Sequence, residues 1–383
     1  MATDERRKKR NRVAVKVTCM AMFLLFSFSY IHLYQADLLS LIQNVLSKGQ
    51  TTYNPMVGTP LIIVVLIVVQ VAVYFLIHLT KHYHALTYFP SMLLMGVVTS
   101  VDNEAVFRVG LWTWLLPLLL VAWALAAIEL KNLEAFERKE ERKGIVTSSL
   151  VSNVVIMVLM CIMTAMIGNG NDVLHYRAKV EKCLANDDTM GALRVGAKSF
   201  ATDANLTMLR CYALAKEGKM GEWLFRYPVE GTSEQMLPLG GTRSIVWTSD
   251  SIYRMLGAIP KGEMKTADYL RLLARKGKAT EAVRDYMLCG KLMDKDIDGF
   301  AKTLPQYYAI NDSLPMHYKE ALILYNHLRT TPVVVYSNTV VDTDYEDLQR
   351  MESECATEQE RRLKAFDNYY GTYWWYYEYS NKH

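Results

Sequence analysis

Residues 5–34 read ERRKKRNRVAVKVTCMAMFLLFSFSYIHLY, a crowd of cations that gives way to one long apolar run. A helix that crosses a hydrocarbon core ~30 Å thick needs ~20 consecutive apolar residues, and residues 13–34 supply them. Further apolar runs lie at 59–80, 85–101, 107–129 and 145–167, and residues 131–143 form the one other densely charged stretch among them. The pattern predicts a bundle of about five membrane spans. The third run is the weakest, because Pro90 interrupts it and Thr87, Ser91, Thr99 and Ser100 dilute it. Proline is tolerated in membrane helices whose neighbours satisfy the freed carbonyl, and without this span residues 131–143 would fall on the wrong face for their charge.

Lys and Arg are retained in cytoplasmic loops, which sets orientation. Arg6, Arg7, Lys8, Lys9, Arg10 and Arg12 therefore place the tail 1–12 in the cytoplasm. Residues 35–58 then lie outside, Lys81 with His82 and His84 inside, 102–105 outside, and 131–143 inside again. The fifth span exports everything after about Asn169, which predicts a multi-pass protein of a bacterial inner membrane with a periplasmic carboxyl-terminal domain. No small-x-small cleavage site stands near residues 27–36, so the first span reads as an uncleaved anchor. The net charge of +4 sits on the tail and cytoplasmic loops, where it orients the chain and meets anionic lipid. The part beyond residue 171 is nearly neutral. Membrane lipid is thus an expected partner, and nucleic acid, which needs a basic folded domain, is not.

Residues 169–383 are long enough for a domain with a core of its own, and helical periodicity dominates them. Val173, Tyr176, Val180 and Leu184 recur at helical spacing; Thr189 opens a second helix reaching Phe200; 203–205 opens a third, ended by Gly218-Lys219; Trp223, Leu224 and Tyr227 form a short fourth. The pairs recur at about 32 residues, near the ~34 of tetratricopeptide repeats. Residues 229–248 hold too many breakers for a long helix. Helices are expected at 249–256, 266–276, 279–288, 294–308, 314–328 and 345–366, with a β-branched extended stretch at 331–341. The predicted fold is all-α: the membrane bundle over 13–168, then a tetratricopeptide-like α-solenoid over 169–383.

The residues offer little chemistry. No span carries Asp, Glu, Lys or Arg in its middle, where ion-coupled transporters place them. Gln70 and Asn153 are the strongly polar amides within spans, and joining helices by hydrogen bonds is their plainer role. His78, His82 and His84 have no local companions at metal-ligand spacing. CxxC, HExxH and GxxxxGK[ST] are all missing. Cys183, Cys211, Cys289 and Cys355 follow the spans; a Cys183–Cys211 disulfide is conceivable, and buried free thiols are the simpler reading. Asp294, Asp296 and Asp298 alternate like calcium ligands but lack the closing acid, and so read as a helix start. No catalytic, cofactor or metal site is expected. The aromatic end, with Tyr373, Trp374 and Trp375, is expected to dock onto the solenoid as its cap; a lipid-interface or glycan role is the alternative.

Several segments carry a resemblance: 35–39 (QADLL), 52–54 (TYN), 86–91 (LTYFPS), 304–308 (LPQYY), 317–322 (HYKEAL) and 371–374 (GTYW). Together they resemble an uncharacterised family of Bacteroidota membrane proteins with spans first and a tetratricopeptide-like domain after. The resemblance runs over nearly the whole chain and implies architecture and envelope location, with no catalytic residues to carry over. The leading expectation is a non-enzymatic scaffold that docks another envelope protein. Its rival is a membrane enzyme or a lipid- or glycan-handling protein, with a site at the outer loop ends formed by Asp37, Tyr53, Asn54, Asp102 and Glu104.

Overall fold

The computed structural model describes residues 2–79, 83–101, 109–140, 146–277 and 280–380. All regular elements in them are helical. The chain divides into two compact units between Ala178 and Lys179, inside a helix.

In the first unit α1 (Ala2–Phe28) passes into a π-helical turn (Ser29–Tyr34), and α2 (Ala36–Leu46) follows. Next come α3 (Pro55–Ile77), a 3-10 turn (His84–Tyr88), α4 (Phe89–Val98), α5 (Val109–Glu140) and α6 (Val146–Ile167). Four stretches are long and apolar enough to cross a membrane: Arg10–Tyr34, Pro55–Ile77, Leu111–Asn132 and Ser149–Ile167. Their polarity is inverted relative to a water-soluble bundle. Leu25, Leu76, Trp114 and Met166 point outward, while Gln70, Thr87, Ser91, Asn153 and Thr164 are buried between helices. That arrangement suits a hydrocarbon solvent, in which interior polar groups join helices.

The expected third span needs correction. His84–Val98 is apolar but too short to count with the other four, because Pro90 sits in the first turn of α4. There its missing N–H costs nothing, and the chain before it winds as a 3-10 turn. The segment nevertheless travels along α6 in parallel. The Ala85 N–H donates to Asn153 Oδ1 at 2.7 Å, Thr164 Oγ1 donates to the Met92 carbonyl at 3.2 Å, and the Asn169 N–H donates to the Thr99 carbonyl at 2.9 Å. Its two ends therefore lie at opposite ends of the bundle. Gln70 Nε2 donates to Thr87 Oγ1 at 3.1 Å, Ser91 Oγ to the Leu66 carbonyl at 2.8 Å, and Trp123 Nε1 to the Leu86 carbonyl at 3.0 Å. Gln70 and Asn153 thus each tie the short pass to a long helix. His84, buried, places Nδ1 3.2 Å from the Leu79 carbonyl; His82 lies outside the described residues.

The second unit begins within α7 (Asp172–Ala185) and continues with α8 (Thr189–Arg194), α9 (Ala204–Lys216) and α10 (Met220–Trp223). After the breaker-rich loop come α11 (Asp250–Leu256), α12 (Thr266–Arg275), α13 (Glu281–Met293), α14 (Ile297–Thr303) and α15 (Met316–Leu328). The last three are α16 (Thr339–Glu354), α17 (Glu358–Tyr369) and α18 (Tyr373–Tyr379). One turn recurs. Asp187 and Lys295 adopt φ of 62° and 58°, and the next residue, Asp188 or Asp296, caps the following helix by accepting the N–H of Gly191 or Gly299 at 2.7 and 2.9 Å. A Cβ on either glycine would stand about 2 Å from the cap carboxylate, so only glycine fits beside a cap folded this tightly.

Asp188, not Thr189, is therefore the cap of α8, and that helix stops at Arg194 because Gly196 turns the chain with φ 60°. The expected helix 345–366 is two helices, broken at Cys355 and restarted by Thr357, whose hydroxyl accepts the Glu360 N–H at 3.1 Å. Residues 331–338 form no strand. No disulfide joins Cys183 to Cys211; burial pushes the Cys211 thiol up to about 12.

Replacing Asn153 by Leu leaves the Ala85 N–H without its acceptor inside the bundle. We expect N153L to lower stability by ~1 kcal/mol, read as a lower unfolding midpoint in detergent.

Candidate functional site

Of the outer-loop residues expected to form a site, Asp37, Tyr53 and Asn54 are described. Asn54 caps α3 by accepting the Met56 N–H at 3.0 Å. Tyr53 folds over Gly58, and its hydroxyl meets Thr59 Oγ1 at 2.9 Å. Asp37 occupies the first turn of α2, the favourable end of the helix dipole for an anion. Asp102 and Glu104 lie outside the described residues.

A different polar knot occupies that end of the first unit. Gln35 Nε2 donates to the Tyr30 hydroxyl at 3.3 Å and to the Asn169 carbonyl at 3.1 Å. Thr99 Oγ1 donates back to the Met95 and Gly96 carbonyls, so the Tyr30 hydroxyl is the donor in its 2.8 Å contact with Thr99. Asn169 Nδ2 donates to the Val101 carbonyl at 2.6 Å, and His175 Nε2, 3.1 Å from the Asn169 carbonyl, must carry a proton to bond there. The knot stitches the ends of the first and third passes to the exit of α6. Gln35, already conspicuous in the sequence, is its centre.

Two of the carboxylates buried in the second unit lie on or against α15. Glu320 Oε2 accepts the Tyr373 N–H at 2.7 Å and lies 2.9 Å from His317 Nδ1. His317 Nε2 accepts the Phe225 N–H at 3.3 Å, which leaves Nδ1 as the protonated nitrogen that donates to Glu320. Trp374 Nε1 donates to the Glu320 carbonyl at 2.8 Å, and the Tyr376 hydroxyl to the Met293 carbonyl at 2.9 Å. Tyr373 and Trp374 are thereby buried at the start of α18, whose cap is the Thr372 hydroxyl accepting the Trp375 N–H. Trp375 turns the other way, against Phe366 and Tyr370. The aromatic end is a helix latched onto α15.

One turn of chemistry away, Asp285 Oδ1 accepts the Tyr308 hydroxyl at 2.7 Å and the Tyr318 hydroxyl at 2.8 Å, with Cys289 Sγ 3.5 Å from the latter. Burial raises the Asp285 pKa, and the two tyrosine donors only partly offset it. Tyr318 and Tyr308 are pushed upward, chiefly by desolvation, and remain neutral donors. A third buried carboxylate, Glu181, accepts the N–H groups of Ile245, Val246 and Trp247 at 2.6–3.0 Å and so fixes the end of the breaker-rich loop. The alternating aspartates likewise have separate partners: Asp294 holds Ser233, Asp296 caps α14, and Asp298 pairs with Arg329 at 2.7 Å. Among the described residues no group of three or more His, Cys, Asp or Glu side chains is placed to hold a metal ion.

What these sites do chemically is accept hydrogen bonds. The carboxylates face backbone N–H, imidazole and phenol donors, and each joins elements distant in sequence. Sequence reading missed Glu320, Asp285 and Glu181, although an acid such as Glu320 amid Tyr318, Ala321, Leu322 and Ile323 marks a polar group on a buried face. The family model described as "Family of unknown function (DUF6057)" matches residues 260–380, the stretch that contains Asp285, the His317–Glu320 pair and α18. No curated protein and no solved structure matches the chain.

Glu320→Ala should free α18 at a cost of about 3 kcal/mol, since Tyr373 N–H and His317 both lose their acceptor. The expected readout is faster hydrogen exchange over residues 372–379 of the full chain; unchanged protection would refute the latch. For Asp285 the folded pKa is raised, so the folded state holds its proton to higher pH than the unfolded state and loses stability as pH rises. Asp285→Asn removes that loss. Its unfolding midpoint relative to the unsubstituted protein should climb as the pH rises above the ordinary Asp range, and a flat difference would contradict the assignment.

Proposed function

We propose that this is an integral protein of a bacterial inner membrane that holds its basic tail in the cytoplasm and displays its carboxyl-terminal domain in the periplasm. There the domain serves as a non-enzymatic docking scaffold for another envelope protein. The observation that carries the orientation is the short pass along α6. Counted as a traverse, it makes the number odd, which supports a basic tail and an exit at Asn169 on opposite faces. With cations retained inside, the domain falls outside.

The scaffold role draws support from two features. Helix–turn–helix units with left-handed turns at Asp187, Gly218, Gly277 and Lys295 recur along the domain, in keeping with tetratricopeptide-like pairs that stack to bury their apolar faces. The buried carboxylates are committed to holding helices together, and the latched α18 covers the end of the stack as a cap. A docking surface is suggested by Leu328, Val333, Val335 and Val340, exposed apolar side chains within one stretch of chain of the kind that marks interaction sites.

Reporter fusions after residue 380 test orientation: alkaline phosphatase should be active there and a cytoplasm-dependent fluorescent protein dark. The reverse result removes the periplasmic reading. Photo-crosslinkers at Val333 and Val335 of the full-length protein should trap one recurrent envelope partner, and Val335→Asp should abolish that adduct without changing protein level. Adduct formation unaffected by V335D would exclude this surface.

A further inference from the structure

Residues 331–340 read TPVVVYSNTV and hold apolar side chains in water on a backbone that is tied down. Val333, Val335 and Val340 are 69%, 73% and 69% exposed, and Leu328 at the end of α15 is 43% exposed. The segment between α15 and α16 is pinned along its length. The Val333 N–H donates to the Tyr325 hydroxyl at 3.0 Å, and Asn326 Nδ2 donates to the Tyr336 carbonyl at 2.6 Å. Tyr336 is buried and sends its hydroxyl to Asp312 at 3.2 Å. The Asn338 N–H and the Ser337 hydroxyl both donate to Asp342 Oδ2, at 2.8 and 2.9 Å. Exposed valines gain nothing from water. These bonds hold them in place in advance, which lowers the ordering cost of covering them with a partner.

The helix that follows sets the charge of this face. α16 carries six acidic residues and one base, Arg350. Its buried side is Val341, Tyr345 and Leu348. Val340, Asp344, Asp347, Met351 and Glu354 recur at i, i+4, i+7, i+11 and i+14 along another side, so the exposed valine at the helix start leads into a row of carboxylates. The neighbouring bases are engaged: Arg329 with Asp298, Arg350 with Asp347 and Lys364 with Glu360. α17, with three acids and three bases, adds no net charge. Asp344 and Glu354 are exposed and, among the described residues, have no Lys or Arg at ion-pair distance. Asp347 has only an exposed pair with Arg350, of a kind worth little in water and open to exchange.

We propose that the exposed valines and this side of α16 dock a cationic amphipathic segment of a partner protein. Its apolar side chains cover Val333, Val335 and Val340, and its Lys or Arg groups meet Asp344, Asp347 and Glu354, an arrangement in which charge selects the partner. The site rests on the reading of Val333 and Val335 as a docking surface and specifies the chemistry that covers them. A face of this sign is repelled by anionic lipid, which favours a protein over the membrane as its occupant.

The test uses the full-length protein in phosphatidylcholine discs and a fluorescent helical peptide of Lys and Leu with Leu along one face. Two control peptides carry Glu in place of Lys, or Ser in place of Leu, and empty discs give the baseline. The Lys–Leu peptide should bind saturably above that baseline, more weakly as salt rises, and neither control should. Asp344→Asn with Glu354→Gln, both at exposed positions compatible with folding, should raise its half-saturating concentration about fivefold. Val335→Ser should raise it about tenfold. V335S probes the surface and D344N with E354Q the charge of its partner, so the two readings fail separately. Equal binding of the Glu–Leu peptide, no binding of the Lys–Leu peptide above empty discs, or an unchanged response in D344N with E354Q would overturn the cationic assignment. Unchanged binding in V335S would remove the surface itself. A photo-crosslinker at Val335 that labels disc lipid instead of the peptide would make this face a membrane contact and overturn the proposal.

Discussion

A polar group shut away from water has to be paired by the protein itself, and both units of this chain are organised around that requirement. In the second unit the Glu320 carboxylate has no solvent to face, so it takes the Tyr373 N–H and the His317 imidazole. The imidazole's far nitrogen then takes the Phe225 N–H. An unpaired buried carboxylate would cost several kcal/mol, so the carboxyl-terminal helix, α15 and the turn after α10 are fixed together or not at all. Asp285 imposes the same condition on α13, α15 and the turn that carries Tyr308.

The first unit, with four stretches long and apolar enough to cross a membrane, meets the same requirement. A short third pass would be a poor membrane helix alone, with Pro90 in its first turn and four hydroxyl residues along its length. Those features are what bind it. Thr87 takes Gln70, Ser91 takes the Leu66 carbonyl, Thr99 takes Tyr30, and the N–H of Ala85 takes Asn153. Helices packed in lipid gain little from apolar burial against one another, so these bonds and close packing carry the association. The segment holds its place at sub-standard length because neighbouring helices surround it.

The segments that were distinctive in sequence but silent about chemistry share this explanation. Residues 86–91 supply three bonds to two other helices, α3 and α5; Tyr308, Tyr318, His317 and Glu320 supply the two buried acceptor sites; Tyr373 and Trp374 close the latch. Their side chains are specified by the geometry of the partners they must reach. A motif of this kind is conspicuous without being catalytic.

Hydrophobic run length, period and caps determined the all-helical class, the long membrane helices and most helix starts in the second unit, because these depend on contacts within a few residues. Ser249–Leu256 ended by Gly257, and Asp203 capping α9, were readable for that reason. Boundaries set by a turn beyond the window were not: α8 stops at Arg194, and α16 breaks at Cys355. The shortened third pass, the knot at Gln35 and the roles of Asp285, Glu181 and Glu320 were decided only by tertiary structure. Each is a bond between groups tens of residues apart, and local pattern carries no information about which distant donor a buried acceptor will find.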